Sequence, residues 1–204
     1  MLKTYFRIPL AYLSLIILGF LLQNTWSGAA GMLALFPRNP AYLTGIITTV
    51  FLHSSMEHLA SNFLPLSACL FGLFYFYGDI AAKVTVLCHV ITGVLIWIFA
   101  RPSFHIGASG LAYALVFFIL VSGFTRKNRR LMVLAFATLV FQSGLIWGIF
   151  PQDNLISWES HLLGAVTGTM LAIAFRKQGP EPDKPLVWEE DEEEEEDEYE
   201  KLNP

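Results

Sequence analysis

Cysteine is scarce in this chain, with Cys69 and Cys88 alone in 204 residues. Both lie in apolar runs, where a thiol serves as a small core hydrophobe, so no disulfide framework and no CxxC metal motif can be built. Charge is scarce too over residues 1 to 180, which carry 11 basic and 4 acidic groups. No internal repeat is present, which excludes repeat architectures. A small-residue cleavage site is also missing after the first apolar run, near Gln23 to Trp26. Lys3 and Arg7 precede that run as they would in a secretory signal, but without the cleavage site a retained first helix is expected.

What the chain has in abundance is apolar sequence. Hydrophobic residues make up 54% of it, in long blocks, and the mean hydropathy is +0.53, far from the usual soluble balance. Six spans are expected, over roughly residues 8 to 22, 59 to 77, 81 to 100, 109 to 124, 131 to 149 and 160 to 175. Each is about long enough for a hydrocarbon core of roughly 30 Å. The fold class implied is an all-α membrane bundle.

Basic residues orient such a bundle. Lys3, Arg7, Lys83, Arg126, Lys127, Arg129, Arg130, Arg176 and Lys177 fall on one side of a six-span arrangement, and Arg38 and Arg101 on the other. Both termini are therefore expected in the cytoplasm. Segments 23 to 58, 101 to 108 and 150 to 159 are expected outside. Residues 181 to 204 reverse the charge balance, with 2 basic and 13 acidic groups. Pro180, Pro182 and Pro185 introduce the acidic run Glu189 to Glu198, which cannot bury a core. The expected division is a membrane domain over 1 to 180 and a solvated acidic cytoplasmic tail over 181 to 204. The alternative for that tail is a docking site for a basic partner, with Trp188 and Tyr199 as anchors.

Spacing places several polar groups at one depth. Ser109 lies 17 residues before Arg126, and His161 lies 15 before Arg176. At the helical rise these are about 25 and 22 Å above the cytoplasmic arginines. His58 and Asn62 share a helix face, and Asn62 lies about 25 Å above the turn at Gly78 and Asp79. Polar groups within a bilayer normally face the bundle interior or a wet cavity. A serine hydroxyl beside a neutral histidine can be activated as a nucleophile, which pairs Ser109 with His161. The tetrahedral intermediate of acyl transfer needs donors, and the Ser109 backbone amide, His58 and Asn62 can supply them. Asp153 and Glu159 lie in the outer turn, but a dyad fits better, with Tyr113 one turn below Ser109 as a stacking surface for the imidazole. Gly110 and Ala114 on one helix and Gly164 and Gly168 on another follow the small-xxx-small pattern of close helix contact. His89 and His105 have no such support and are read as structural.

These residues resemble the rhomboid intramembrane serine proteases over most of residues 1 to 180. Gly107-Ala108-Ser109-Gly110 is similar to that family's GxSG motif, and His161 through Gly168 to its HxxGxxxG helix. His58 through Asn62 matches its HxxxN oxyanion pair, His53 a further histidine five residues earlier, and Tyr113 its ring beneath the histidine. The resemblance implies a six-helix fold, open to the extracytoplasmic side, that cleaves transmembrane substrates at small-residue, helix-destabilised sites. Many members carry a Trp-Arg pair in the first loop. Here Thr44-Gly45 stands in that place, and Trp26, Arg38 and Tyr42 are the candidate substitutes.

Three function classes follow. A protease is the leading one, with substrate entering past either the fifth span, carrying Phe136, Phe141 and Trp147, or the loop after the first. The second is an inactive rhomboid-like protein that binds transmembrane helices for quality control. The third is a haem-binding electron carrier, which leaves Ser109 and Asn62 without a role. The protease reading needs no metal or organic cofactor and no nucleic-acid partner. Its partners are transmembrane substrates and the lipid bilayer, and the compact form without a presequence is that expected in a bacterial inner membrane.

Overall fold

The computed structural model describes residues 2–26, 28–141, 147–151 and 157–184. In chain order the helices are α1 (Leu2–Thr25), α2 (Ala29–Leu33), α3 (Gly45–Thr48), α4 (Met56–Tyr77), α5 (Ala81–Phe99), α6 (Ser109–Arg126), α7 (Arg129–Phe141) and α8 (Trp158–Ala174). Single 3-10 turns cover Pro40–Tyr42, Thr49–Phe51 and Gly78–Ile80. Among the described residues the only extended pairing is one antiparallel bridge between Leu35 and His105.

Among the described residues four helices are long and apolar enough to cross a membrane: α1 from Tyr5, α4, α5 and α6. The first four expected spans coincide with them. The sixth falls on α8, which is shorter at 17 residues. The fifth begins on α7 and runs into residues 142–146, outside the described residues. The acidic run of the tail also lies outside them.

Local chemistry explains the helix limits. Ser55 caps α4 by accepting the His58 N–H at 3.1 Å, and Glu57 in the first turn complements the helix dipole. At the far end of α5, Arg38 donates to the Ile98 and Ala100 carbonyls at 3.1 and 2.7 Å. A cation is thereby placed on the orphan acceptors of a helix C-terminus. These two bonds fasten the first loop to α5. That loop holds short helical pieces, Ala29–Leu33, Pro40–Tyr42, Gly45–Thr48 and Thr49–Phe51, each far below bilayer length.

Helix α6 lies at the centre, with Leu111 through Val116, Phe118 and Ile119 all buried. Its most extensive pairing is with α8. Gly164 and Gly168 face α6 so closely that an added Cβ would collide with the Gly110 and Ala114 carbonyls respectively. Backbone therefore rests on backbone, the contact that small residues allow in lipid. At the other end Arg126 donates to the carbonyls of Arg176, Gln178, Gly179 and Pro180. Asn128 continues the clamp to the Glu181 carbonyl, and Asp183 accepts the Arg129 N–H at 2.6 Å. Residues 181 to 184, grouped with the tail by their charge, thus run along the α6–α7 turn.

Gly168→Ala is expected to lower stability in detergent by about 1–3 kcal/mol, the usual cost of overpacking, because only movement of a whole helix relieves the collision. Gly31→Ala, where an added Cβ meets nothing within 4 Å, should leave the same unfolding curve unmoved.

Candidate active site

The turn ahead of α6 is assembled from the first loop. Leu35 and His105 exchange backbone hydrogen bonds at 2.8 and 3.2 Å, and the Gly107 N–H donates to the Thr49 carbonyl at 3.0 Å. The Thr49 hydroxyl also donates to the His105 carbonyl. Next, the Ala108 N–H donates to His53 Nε2 at 3.3 Å. Gly107 has φ +110°, a conformation that favours glycine. A Cβ there would lie 2.7 Å from His58 Nε2 and 3.2 Å from Asn62 Nδ2. Only a bare backbone lets the turn approach these groups.

Ser109 is the first residue of α6, so its N–H has no acceptor within the helix. Its hydroxyl lies 2.9 Å from His161 Nε2. The other ring nitrogen, Nδ1, lies 2.9 Å from the Gly148 carbonyl. A carbonyl only accepts, so Nδ1 carries the proton and Nε2 presents its lone pair to Ser109. Tyr113 stacks on the imidazole with centroids 4.4 Å apart and planes 12° from parallel. The ring is thus held by one hydrogen bond and one face.

His58 and Asn62 come to the same place from α4. Ser54 Oγ lies 3.0 Å from His58 Nδ1, which leaves Nε2 turned toward Gly107. Asn62 is buried, and its Nδ2 has no hydrogen-bond partner among the described residues. A buried unmet donor costs about 1–3 kcal/mol, so this one is available to a developing anion. Beside Ser109 lies a cavity of about 20 Å³, lined by Thr49, Thr92, His105 and Ser160 among others. That is room for one water, and the buried Thr92 hydroxyl also has no partner among the described residues.

The structure brings together Ser109, His161, Tyr113, His58, Asn62, Gly107 and His53, with Gly110, Gly164 and Gly168 at the helix contact behind them. Glu159 turns away to Arg101, with Oε1 3.3 Å from Nε, and Asp153 lies outside the described residues. His105 pairs with Ser157 at 2.5 Å and His89 with the Tyr12 hydroxyl at 2.8 Å. Sequence reasoning missed the Gly148 carbonyl, because a main-chain acceptor has no side-chain signature. It also missed Ser54, whose only signal is its place four residues before His58.

The family model described as the Rhomboid domain matches residues 40–178. The chain is 32% identical over 142 residues to uncharacterised proteins of Mycobacterium bovis and Mycobacterium tuberculosis, covering 64% of this chain and 58% of each relative. A protein of Mycobacterium leprae is 30% identical over 145 residues, covering 64% of this chain and 55% of its own. The chain thus spans less than two thirds of the length of the curated relatives it matches.

His53 is buried, and desolvation, reinforced by His58, lowers its imidazole to about 4. Such a ring is neutral in the fold, as its acceptance of the Ala108 N–H requires. The unfolded chain takes up this proton near pH 6.5, before the folded one does. The stability it contributes is therefore complete above about pH 6.5 and lost as pH falls toward 4. Unfolding midpoints across that range should drop, and His53→Gln should flatten part of the slope.

Proposed function

The chain belongs to the rhomboid family, and from that premise we propose that it is an intramembrane serine endopeptidase acting through a Ser109–His161 dyad. Membership makes it an integral multi-pass membrane protein. The observation that carries the proposal is the His161 Nε2 lone pair 2.9 Å from the Ser109 hydroxyl, with Nδ1 anchored on Gly148.

In the proposed reaction Nε2 takes the proton from Ser109 as Oγ attacks the scissile carbonyl of a transmembrane segment. The oxyanion is met by the Ser109 N–H, Asn62 Nδ2 and His58 Nε2, donors already fixed before charge develops. Expulsion of the amine needs a proton, which the imidazolium returns, leaving an acyl ester on Ser109. A water then attacks the ester, with the same imidazole first accepting and then returning a proton, and the cavity beside Ser109 can hold that water. No carboxylate is required, since the Gly148 carbonyl and Tyr113 do the orienting.

Topology supports where this happens. The excess of basic residues on one side of the bundle assigns both termini to the cytoplasm, so the dyad opens to the extracytoplasmic side of a membrane. A bacterial inner membrane is the proposed location, with 1 to 180 as membrane domain and 181 to 204 as acidic cytoplasmic tail. The second reading, an inactive helix-binding relative, is disfavoured by the Ser109–His161 bond, which a pure binding role does not need.

The test is cleavage of an engineered transmembrane segment by purified protein in liposomes. Ser109→Ala and His161→Ala should abolish turnover. Asn62→Ala should reduce it by about 100- to 1,000-fold, with other donors remaining. Stable binding of the segment without cleavage by folded wild type would move the assignment to the helix-binding relative.

A further inference from the structure

Helix α1 lies before residue 40, where the family match begins, and most of its surface is exposed apolar side chain, including Leu10, Leu15, Leu18, Leu21 and Leu22. One stripe is different. Tyr12, Ile16, Gly19 and Gln23 recur at intervals of four, three and four, a single helix face. The Tyr12 ring lies 5.8 Å from that of Phe51, and its hydroxyl reaches His89. Ile16 is fully buried. A Cβ on Gly19 would lie 2.5 Å from the Phe51 carbonyl oxygen, so α1 touches the backbone of the first loop there.

The stripe ends on Gln23, whose carboxamide makes two hydrogen bonds to one residue. Its Nε2 donates to the His53 carbonyl and its Oε1 accepts the His53 N–H, both at 3.0 Å. Both backbone polar groups of His53 are thereby met by one side chain from another element, which fixes the loop in position and orientation. The His53 ring then does two things. Its Nε2 accepts the Ala108 N–H one residue before Ser109, and its face meets His58, with centroids 5.1 Å apart at 67°. Two hydrogen-bonded steps therefore connect α1 to the serine turn, and one ring contact connects it to the donor pair on α4.

We propose that Gln23 is a positioning residue that sets the Ser109 turn and the His58 donor through His53. It touches neither substrate nor the reacting atoms. The inference deepens the protease reading and rests on it for its kinetic consequence, while its structural consequence can be measured without any turnover.

The experiment uses the full chain in liposomes and compares wild type with Gln23→Met, which keeps the length and loses both hydrogen bonds, and Gln23→Glu, which keeps the acceptor for the His53 N–H. Gln23→Met should lower kcat about tenfold, the worth of roughly one net hydrogen bond of positioning, with KM unchanged. Gln23→Glu should recover part of the loss. Amide hydrogen exchange should quicken in peptides covering residues 50–54 and 105–110 and stay unchanged in α5 and α8. Wild-type kcat in Gln23→Met, or unchanged exchange at 105–110, would overturn the proposal. If wild type cleaves nothing, the protease reading fails. The exchange comparison then decides alone: faster exchange at 105–110 upholds positioning by Gln23, and unchanged exchange ends it. Should Gln23→Met not fold, the same comparison is made on Gln23→Glu.

Discussion

The contact between the backbones of α6 and α8 governs everything at the site. Gly164 and Gly168 let the two helices meet at the Gly110 and Ala114 carbonyls, with His161 one turn before Gly164 and Ser109 next to Gly110. Hydrogen-bond distance between the dyad side chains is a consequence of that approach. A side chain at either glycine would separate the pair by more than the tolerance of a hydrogen bond. In lipid, where apolar burial between helices gains little, such close packing is itself a main source of association.

A second constraint is that polar groups in this setting must be met or be put to use. Most are met: Arg38 by carbonyls at the end of α5, Arg126 by carbonyls after α8, Arg101 with Glu159, and His105 by Ser157. Against that background the exceptions around Ser109 stand out. Asn62 Nδ2 and Thr92 Oγ1 are buried without partners among the described residues, one beside the Gly107 backbone and one on the cavity wall. An unmet donor beside the serine turn and an unmet hydroxyl on the cavity wall are what a reaction that creates an anion and consumes a water would use.

Much of this was legible in the residues. Apolar run length located α1, α4, α5 and α6, and helical rise put Ser109, His161 and Asn62 at one depth. The spacing of Gly164 and Gly168 from His161 picked out the helix face that meets α6. Other parts had no sequence signal. The helical turns between Ala29 and Phe51 are too short to register against a bilayer-length window, and they are held by tertiary bonds such as Thr48 to the Leu33 carbonyl. The Gly148 acceptor is main chain. Gln23 belongs to no motif, and its two bonds to His53 join segments 30 residues apart. The charge break at residue 181 marked a change in composition, whereas the contacts of Glu181 and Asp183 carry the packed chain slightly further.

The central claim is that Ser109 is chemically activated by His161. The most direct measurement is intact mass of the purified protein after exposure to a fluorophosphonate, with the adduct mapped by peptide sequencing. One adduct on Ser109 in wild type, absent from folded His161→Ala, is the expected result. An unmodified wild type, or an adduct that survives loss of His161, would contradict the account.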